Sequence, residues 1–160
     1  MENVRIRLAG PEDFDLLREL YEHVDRPHRE WYPEKFAEPA GGRRDDANLQ
    51  AYLEDPTAQT WLLEAAGDAA GMALVFDREI AAAGVLQQQH FLLVDVIVVA
   101  EAHRGKGYGK RLLAHVKTDA KRRGISTIRL KVYLKNEAAI GFYQSEGFAV
   151  EQYQMVLEDI

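Results

Sequence analysis

The 160-residue chain contains no cysteine. A disulfide framework, a thiolate-held metal and a cysteine nucleophile are therefore excluded. The chain also lacks an apolar run approaching the ~18 residues that a membrane-spanning helix needs. Its first residues, Met1-Glu2-Asn3-Val4-Arg5, carry an acid early and no apolar signal core. Neither a membrane partner nor export is expected, and the cytoplasm is the expected compartment. The five histidines (23, 28, 90, 103, 115) show no metal-ligand spacing with carboxylates, so no metal is expected. Internal repeats, low-complexity tracts and a second domain boundary are missing too. A single domain over 1–160, long enough to bury a substantial core, is the reading.

The charge that is present is unevenly placed. From Arg104 to Arg123 eight Lys/Arg stand against one acid, Asp119, giving +7 and leaving −13 for the rest of a chain whose net charge is −6. A basic segment on an acidic body suits a local anionic ligand, or simply a solvated helix face. Nucleic acid would require a broader basic footprint and is not expected.

Hydrophobic periodicity orders the elements. Asn3–Leu8 alternates as a first strand, and Gly10-Pro11 leads into a helix to about Val24. Arg26–Arg44, with Pro27, Pro33, Pro39 and Gly41-Gly42, reads as a loop. Its Trp31 and Tyr32 either anchor that loop to the core or line a substrate mouth. A short helix from Asp45-Asp46 ends at Asp55-Pro56, and strands at Thr57–Ala65 and Ala70–Phe76 flank a Gly67-Asp68 hairpin signal. Glu79–Gln89 is ambiguous. His90–Ala100 is apolar on both faces, as a covered central strand should be, and only Asp95 interrupts it. A helix then runs to Gly124, Ser126–Leu134 alternates as a strand, Asn136 caps a helix that Gly147 stops, and Phe148–Leu157 closes the chain as a strand. The order β-α-α-β-β-β-α-β-α-β implies an α+β fold, a mixed sheet with helices packed on it.

Between the central strand and the basic helix lies His103-Arg104-Gly105-Lys106-Gly107-Tyr108-Gly109-Lys110-Arg111. A strand, a glycine-rich turn and a helix start can hold phosphate on backbone N–H groups. The spacing Gly105-x-Gly107-x-Gly109 fits neither the dinucleotide fingerprint G-x-G-x-x-G nor the P-loop G-x-x-x-x-G-K-[ST]. About thirty residues on comes Asn136-x-x-Ala139-x-x-Phe142-Tyr143-x-x-x-Gly147-Phe148. The two segments together, closely over Phe91–Phe148, resemble the GNAT superfamily of N-acetyltransferases.

That resemblance implies acetyl-CoA as cosubstrate, lying between two parallel strands that splay apart. It implies pyrophosphate on the backbone of Arg104, Gly105, Lys106, Gly107, Tyr108 and Gly109, pantetheine along Ile97, Val98 and Val99, and a contact from Asn136. Tyr143 matches the tyrosine that protonates the departing thiolate. Asp95 takes the place of a carboxylate that serves, often through water, as general base. Its apolar strand should raise its pKa, which suits a base, although a structural aspartate held by backbone donors or an arginine would look the same. Lys131 stands where the branch that acetylates protein N-termini carries an acid. The reading is direct attack of a small primary amine on the thioester in a ternary complex. The −13 body favours a cationic acceptor. A peptide or protein amine, or a non-catalytic acyl-CoA sensor, is the alternative. A homodimer paired through the C-terminal strand is compatible with this order.

Overall fold

The computed structural model describes residues 3–158. Residues 1–2 and 159–160, at the ends of the expected 1–160 domain, lie outside the described residues. Strands β1 (Val4–Leu8), β2 (Ala58–Ala65), β3 (Asp68–Ile80), β4 (Gln89–Val99) and β5 (Ile128–Leu130) form one sheet in chain order. The first three pairings are antiparallel and β4–β5 is parallel. Period-two alternation sends the apolar side chains of the central strands to both faces. Leu62, Met72, Leu74, Val96 and Val98 pack under α1 (Phe14–Trp31) and α2 (Asp46–Glu54), where Leu17, Leu20, Tyr21 and Leu49 meet them. Leu63, Ala73, Val75, Leu92 and Val94 face α3 (Tyr108–Arg122), which buries Leu112, Val116 and Ala120. Each such leucine contributes about 1.5–3 kcal/mol by leaving water.

The expected α+β mixed sheet is present, with four differences in its parts. Helix α1 continues to Trp31 through Pro27, where a loop was expected. Loss of one backbone donor at Pro27 is outweighed because the extra turns place His28 and Trp31 in an aromatic cluster. The ambiguous 79–89 stretch is the end of a long hairpin, with Ile80 paired to Gln89. The strand expected over 126–134 pairs only at Ile128–Leu130. Beyond it the chain leaves the sheet and puts Tyr133 against His28, Tyr32 and Phe36, at ring distances of 5.5, 4.9 and 5.5 Å. Finally, Phe148–Leu157 forms no strand. It lacks a ladder partner among the described residues, and Val150, Tyr153, Met155, Val156 and Leu157 are exposed.

Strands β3 and β4 approach closely at Gly71, where an added Cβ would lie 2.7 Å from the Val98 carbonyl oxygen. That oxygen belongs to the ladder and cannot swing away. Gly71→Ala is expected to destabilise the fold by about 1–3 kcal/mol, the usual penalty of overpacking. Urea unfolding of the variant, with an unchanged midpoint, would refute this.

Candidate functional site

The site begins with one residue too many. In the β3–β4 ladder Leu74 pairs with Val96 and Val75 with Val94, so Asp95 has no partner on β3. Such a bulge bends a strand and re-aims its side chains. Before it, Leu92 and Val94 lie on the α3 face; after it, Val96 and Val98 lie on the α1–α2 face, and Ile97 and Val99 pack towards α3. The backbone turns over as well. Ahead of the bulge the Leu92 N–H donates towards β5, to the Thr127 carbonyl at 3.0 Å. Beyond it the Ala100 N–H donates towards β3, to the Ala70 carbonyl at 2.9 Å. Because successive strand residues alternate in direction, Ile97 and Val99 present their polar backbone to the β5 side. Val98, grouped with them in the sequence reading, instead directs its carbonyl at β3.

The β5 side is open there. Strand β5 ends at Leu130, opposite Val94, while β4 continues to Val99. One carbonyl on this edge, that of Val99, accepts a hydrogen bond from Arg104 Nε at 3.2 Å. The chain then turns through Gly105 (φ 77°) and Gly107 (φ 80°), left-handed conformations that favour glycine, into the first turn of α3. Backbone donors at a helix start have no intrahelical acceptor, and the helix dipole adds positive potential. Arg104, Lys106 and Lys110 are exposed around this turn, while the Tyr108 ring is buried in the core. The arrangement can accept an anionic phosphate group at the end of an open strand edge.

Helix α4 (Glu137–Ser145) closes the far side. Asn136 caps it, its Oδ1 accepting from the Ala139 N–H at 3.2 Å, so this side-chain oxygen is already engaged. Phe142 reaches the other segment: a Cβ on Gly109 would stand 3.7 Å from the Phe142 ring and 3.9 Å from Val99. Lys117 and Lys110 hold the end of α4 through Glu146, at 3.0 Å to its carbonyl and 3.3 Å to its carboxylate. Tyr143 packs between Phe142 and Phe148, with ring distances of 5.2 and 5.5 Å. Burial pushes its phenol up to about 12 and keeps it protonated at neutral pH.

Asp95 lies on the opposite, α1–α2 side of β4, open to solvent yet recessed among protein groups. Desolvation raises its pKa, and the positive charges of Arg44 and Arg78 offset part of the rise. The Arg44 guanidinium lies 4.0 Å above the Tyr21 ring and grips both Asp25 oxygens, at 2.7 and 2.9 Å. Trp31 and Tyr32 both contact Lys135 in the structure. The Tyr32 hydroxyl accepts from the Lys135 N–H at 3.2 Å, and the Lys135 ammonium bonds the Trp31 carbonyl. Among the described residues no group of three His, Cys, Asp or Glu could hold a metal ion, and no helix is long and apolar enough to cross a membrane.

This fold is shared with solved structures. The BH1408 protein from Bacillus halodurans, as a tetramutant, superposes with a TM-score of 0.91 at 21% identity, covering 96% of this chain and 98% of that one. Aminoglycoside N-acetyltransferase AAC(6')-Iy, solved in complex with CoA, superposes at 0.76 with 18% identity over 99% and 96% of the two chains. The chain belongs to the acetyltransferase (GNAT) family, whose profile matches residues 17–148. It is similar to streptothricin acetyltransferase of Streptomyces lavendulae, 36% identical over 97 residues that make up 60% of this chain and 47% of that protein. It is also similar to the [ribosomal protein bS18]-alanine N-acetyltransferase of Escherichia coli, 38% identical over 52 residues, 32% of this chain and 35% of that protein. The chain spans less than half the length of these curated relatives.

A carboxyl group whose folded pKa is raised costs stability wherever it is ionised, and the cost disappears below its unfolded pKa. Asp95→Asn is therefore expected to raise Tm at pH 7 and to leave it unchanged at pH 3. Equal shifts at both pH values, read by thermal melts, would contradict the raised pKa.

Proposed function

We propose that this protein transfers an acetyl group from acetyl-CoA to the primary amine of a small acceptor, by direct attack in a ternary complex. The reading is carried by the convergence of three parts at the end of β4: the open Ile97 and Val99 edge, the glycine turn at Arg104–Gly109, and Phe142-Tyr143 of α4. The pyrophosphate would sit at the start of α3, where its negative charge meets backbone donors, the helix dipole and the basic segment. Pantetheine amides would pair with Ile97 and Val99 as an added strand would, and an N–H there would polarise the thioester carbonyl. Asn136, its oxygen used in the cap, has only its amide N–H groups left for the cofactor.

Asp95 would accept a proton from the attacking amine, through water, since its side chain is short. Its raised pKa makes it a stronger base than an ordinary aspartate. Tyr143 would donate a hydrogen bond to the departing thiolate. Full transfer from a phenol near 12 to a thiolate of pKa ~8.5 runs uphill, so stabilisation of the leaving charge precedes protonation. The cytoplasm remains the proposed compartment, supported by the lack of cysteine. The earlier expectation of a cationic acceptor rested on the charge of the whole body. Beside Asp95 itself the charges of Arg44 and Arg78 act locally.

The exposed apolar tail beyond Phe148 and the free outer edge of the three-residue β5 together support a homodimer, each tail pairing with the other copy. Light scattering is expected to show a dimer that the double variant Tyr153→Asp/Val156→Asp converts to monomer. A monomeric parent protein would end this reading.

Acetyl transfer is tested by following thiol release from acetyl-CoA across a panel of amines. Tyr143→Phe is expected to lower kcat by about 10–100-fold, and Asp95→Asn by about 100-fold or more with loss of the acidic limb of the pH profile. Micromolar acetyl-CoA binding without turnover of any amine would favour a sensor instead.

A further inference from the structure

On the α1–α2 side of β4, two polar groups are left without a protein partner. Asp95 makes no hydrogen bond or ion pair among the described residues and is open to solvent. Tyr21 of α1 is only 2% exposed, and its hydroxyl likewise bonds no described group. Yet that oxygen is not shut away from water, as the unmet nitrogens of His23 and Trp61 are. A buried tyrosine usually satisfies its O–H within the protein; this one opens it on solvent.

The fold brings the two together. Tyr21 packs in one cluster with Leu93 and Val96, the β4 residues on either side of Asp95. The charge of Asp95 bears on Tyr21. The ring is fixed in place, with the Arg44 guanidinium 4.0 Å above it and Tyr52 stacked at 6.3 Å. All three Arg44 nitrogens are engaged by Asp25 and Asn48, so its charge acts on both groups without a bond to either. Arg78, the other cation acting on Asp95, donates to Thr57 Oγ1 at 3.0 Å. Burial holds the Tyr21 phenol far above its ordinary value, against the pull of Arg44, so it stays neutral. Two neighbouring polar groups that reach the same solvent without bonding each other are suited to share a bridging water.

Resting on the acetyl-transfer reading, we infer that the Tyr21 hydroxyl and the Asp95 carboxylate hold one water between them, and that this water relays the proton of the attacking amine. The water donates one hydrogen to the carboxylate and one to the phenolic oxygen, and it accepts the N–H of the amine on a lone pair. As the ammonium proton passes to the water, the water's own proton passes to a carboxylate oxygen. Neutral amine, water and carboxylic acid remain, so the step needs no further reagent. Tyr21 is thus a positioning residue, acting on the amine through the water it fixes.

The test is Tyr21→Phe, which keeps the ring and removes an oxygen that bonds no protein group. Its Tm is expected to match the parent's. With acetyl-CoA and the fastest acceptor among benzylamine, putrescine and 4-aminobutyrate, kcat is expected to fall about tenfold, with the acidic limb of the pH profile moved to higher pH. Asp95→Asn/Tyr21→Phe is expected to be about as slow as Asp95→Asn alone, because both changes disable one relay. Parent-like kcat, or the same tenfold loss on the Asp95→Asn background, would overturn the proposal. NMR titration of the Asp95 carboxyl separates the two readings, since it needs no turnover. Tyr21→Phe is expected to raise that pKa, because the ionised carboxylate loses a fixed donor. An unchanged value overturns the shared water even in an active enzyme, and a lowered Tm beside it makes the hydroxyl structural. A raised value in a protein that acetylates none of the amines upholds the water and refutes its part in transfer.

Discussion

Asp95, the unpaired residue of the β3–β4 ladder, is the constraint from which the site geometry follows. A strand alternates strictly, so without the bulge Ile97 and Val99 would direct their backbone groups into the ladder with β3. The extra residue reverses that phase. It leaves the last third of β4 with polar backbone on the side where β5 has ended. The same residue carries a carboxylate on the α1–α2 face, so one irregularity creates an open edge on one side and a titratable group on the other. A regular β4 would have put two apolar faces there and no chemistry.

The charges divide along the same line. On the α3 side, positive charge gathers at a helix start, where unmatched N–H donors already favour an anion. On the α1–α2 side, the local sign is set by which carboxylates are neutralised. Asp25 is paired with Arg44, and Glu22 and Glu38 with Arg29, so charges there are matched locally and neither sign dominates. Long-range net charge steers encounters, whereas contacts within a few ångströms select what is held.

How far this was legible in the sequence differs from part to part. Period-two and helical patterns located five strands and four helices, though not every boundary, because most of them bury an apolar face. The glycine turn and the Asn136–Phe148 segment were legible because they are local. Three things were not. Pro27 marks a helix end by its own chemistry, yet tertiary packing of His28 and Trp31 carries α1 past it. The alternation of 126–134 reads as a full strand, but Tyr133 finds a better partner in three aromatic rings than in a sheet neighbour. Phe148–Leu157 has a strand's pattern and no ladder partner, and a pattern alone cannot supply one. The bulge was legible only as a charged residue in an apolar run.

The extension of α1 also ties the two halves of the site together. Tyr133 sits among His28, Tyr32 and Phe36, and its carbonyl accepts from the Asn136 N–H at 2.9 Å, immediately before α4. Phe36, a member of that cluster, also lines a cavity of about 370 Å³ between α1, the 36–45 connection and α2. A displacement of the 36–45 connection would meet Tyr133 first and, beyond it, the Asn136 N–H that leads into α4. Packed aromatic clusters transmit such displacements because they have little free volume to absorb them. The connection after α1 and the helix that carries Tyr143 are thus joined by one run of contacts.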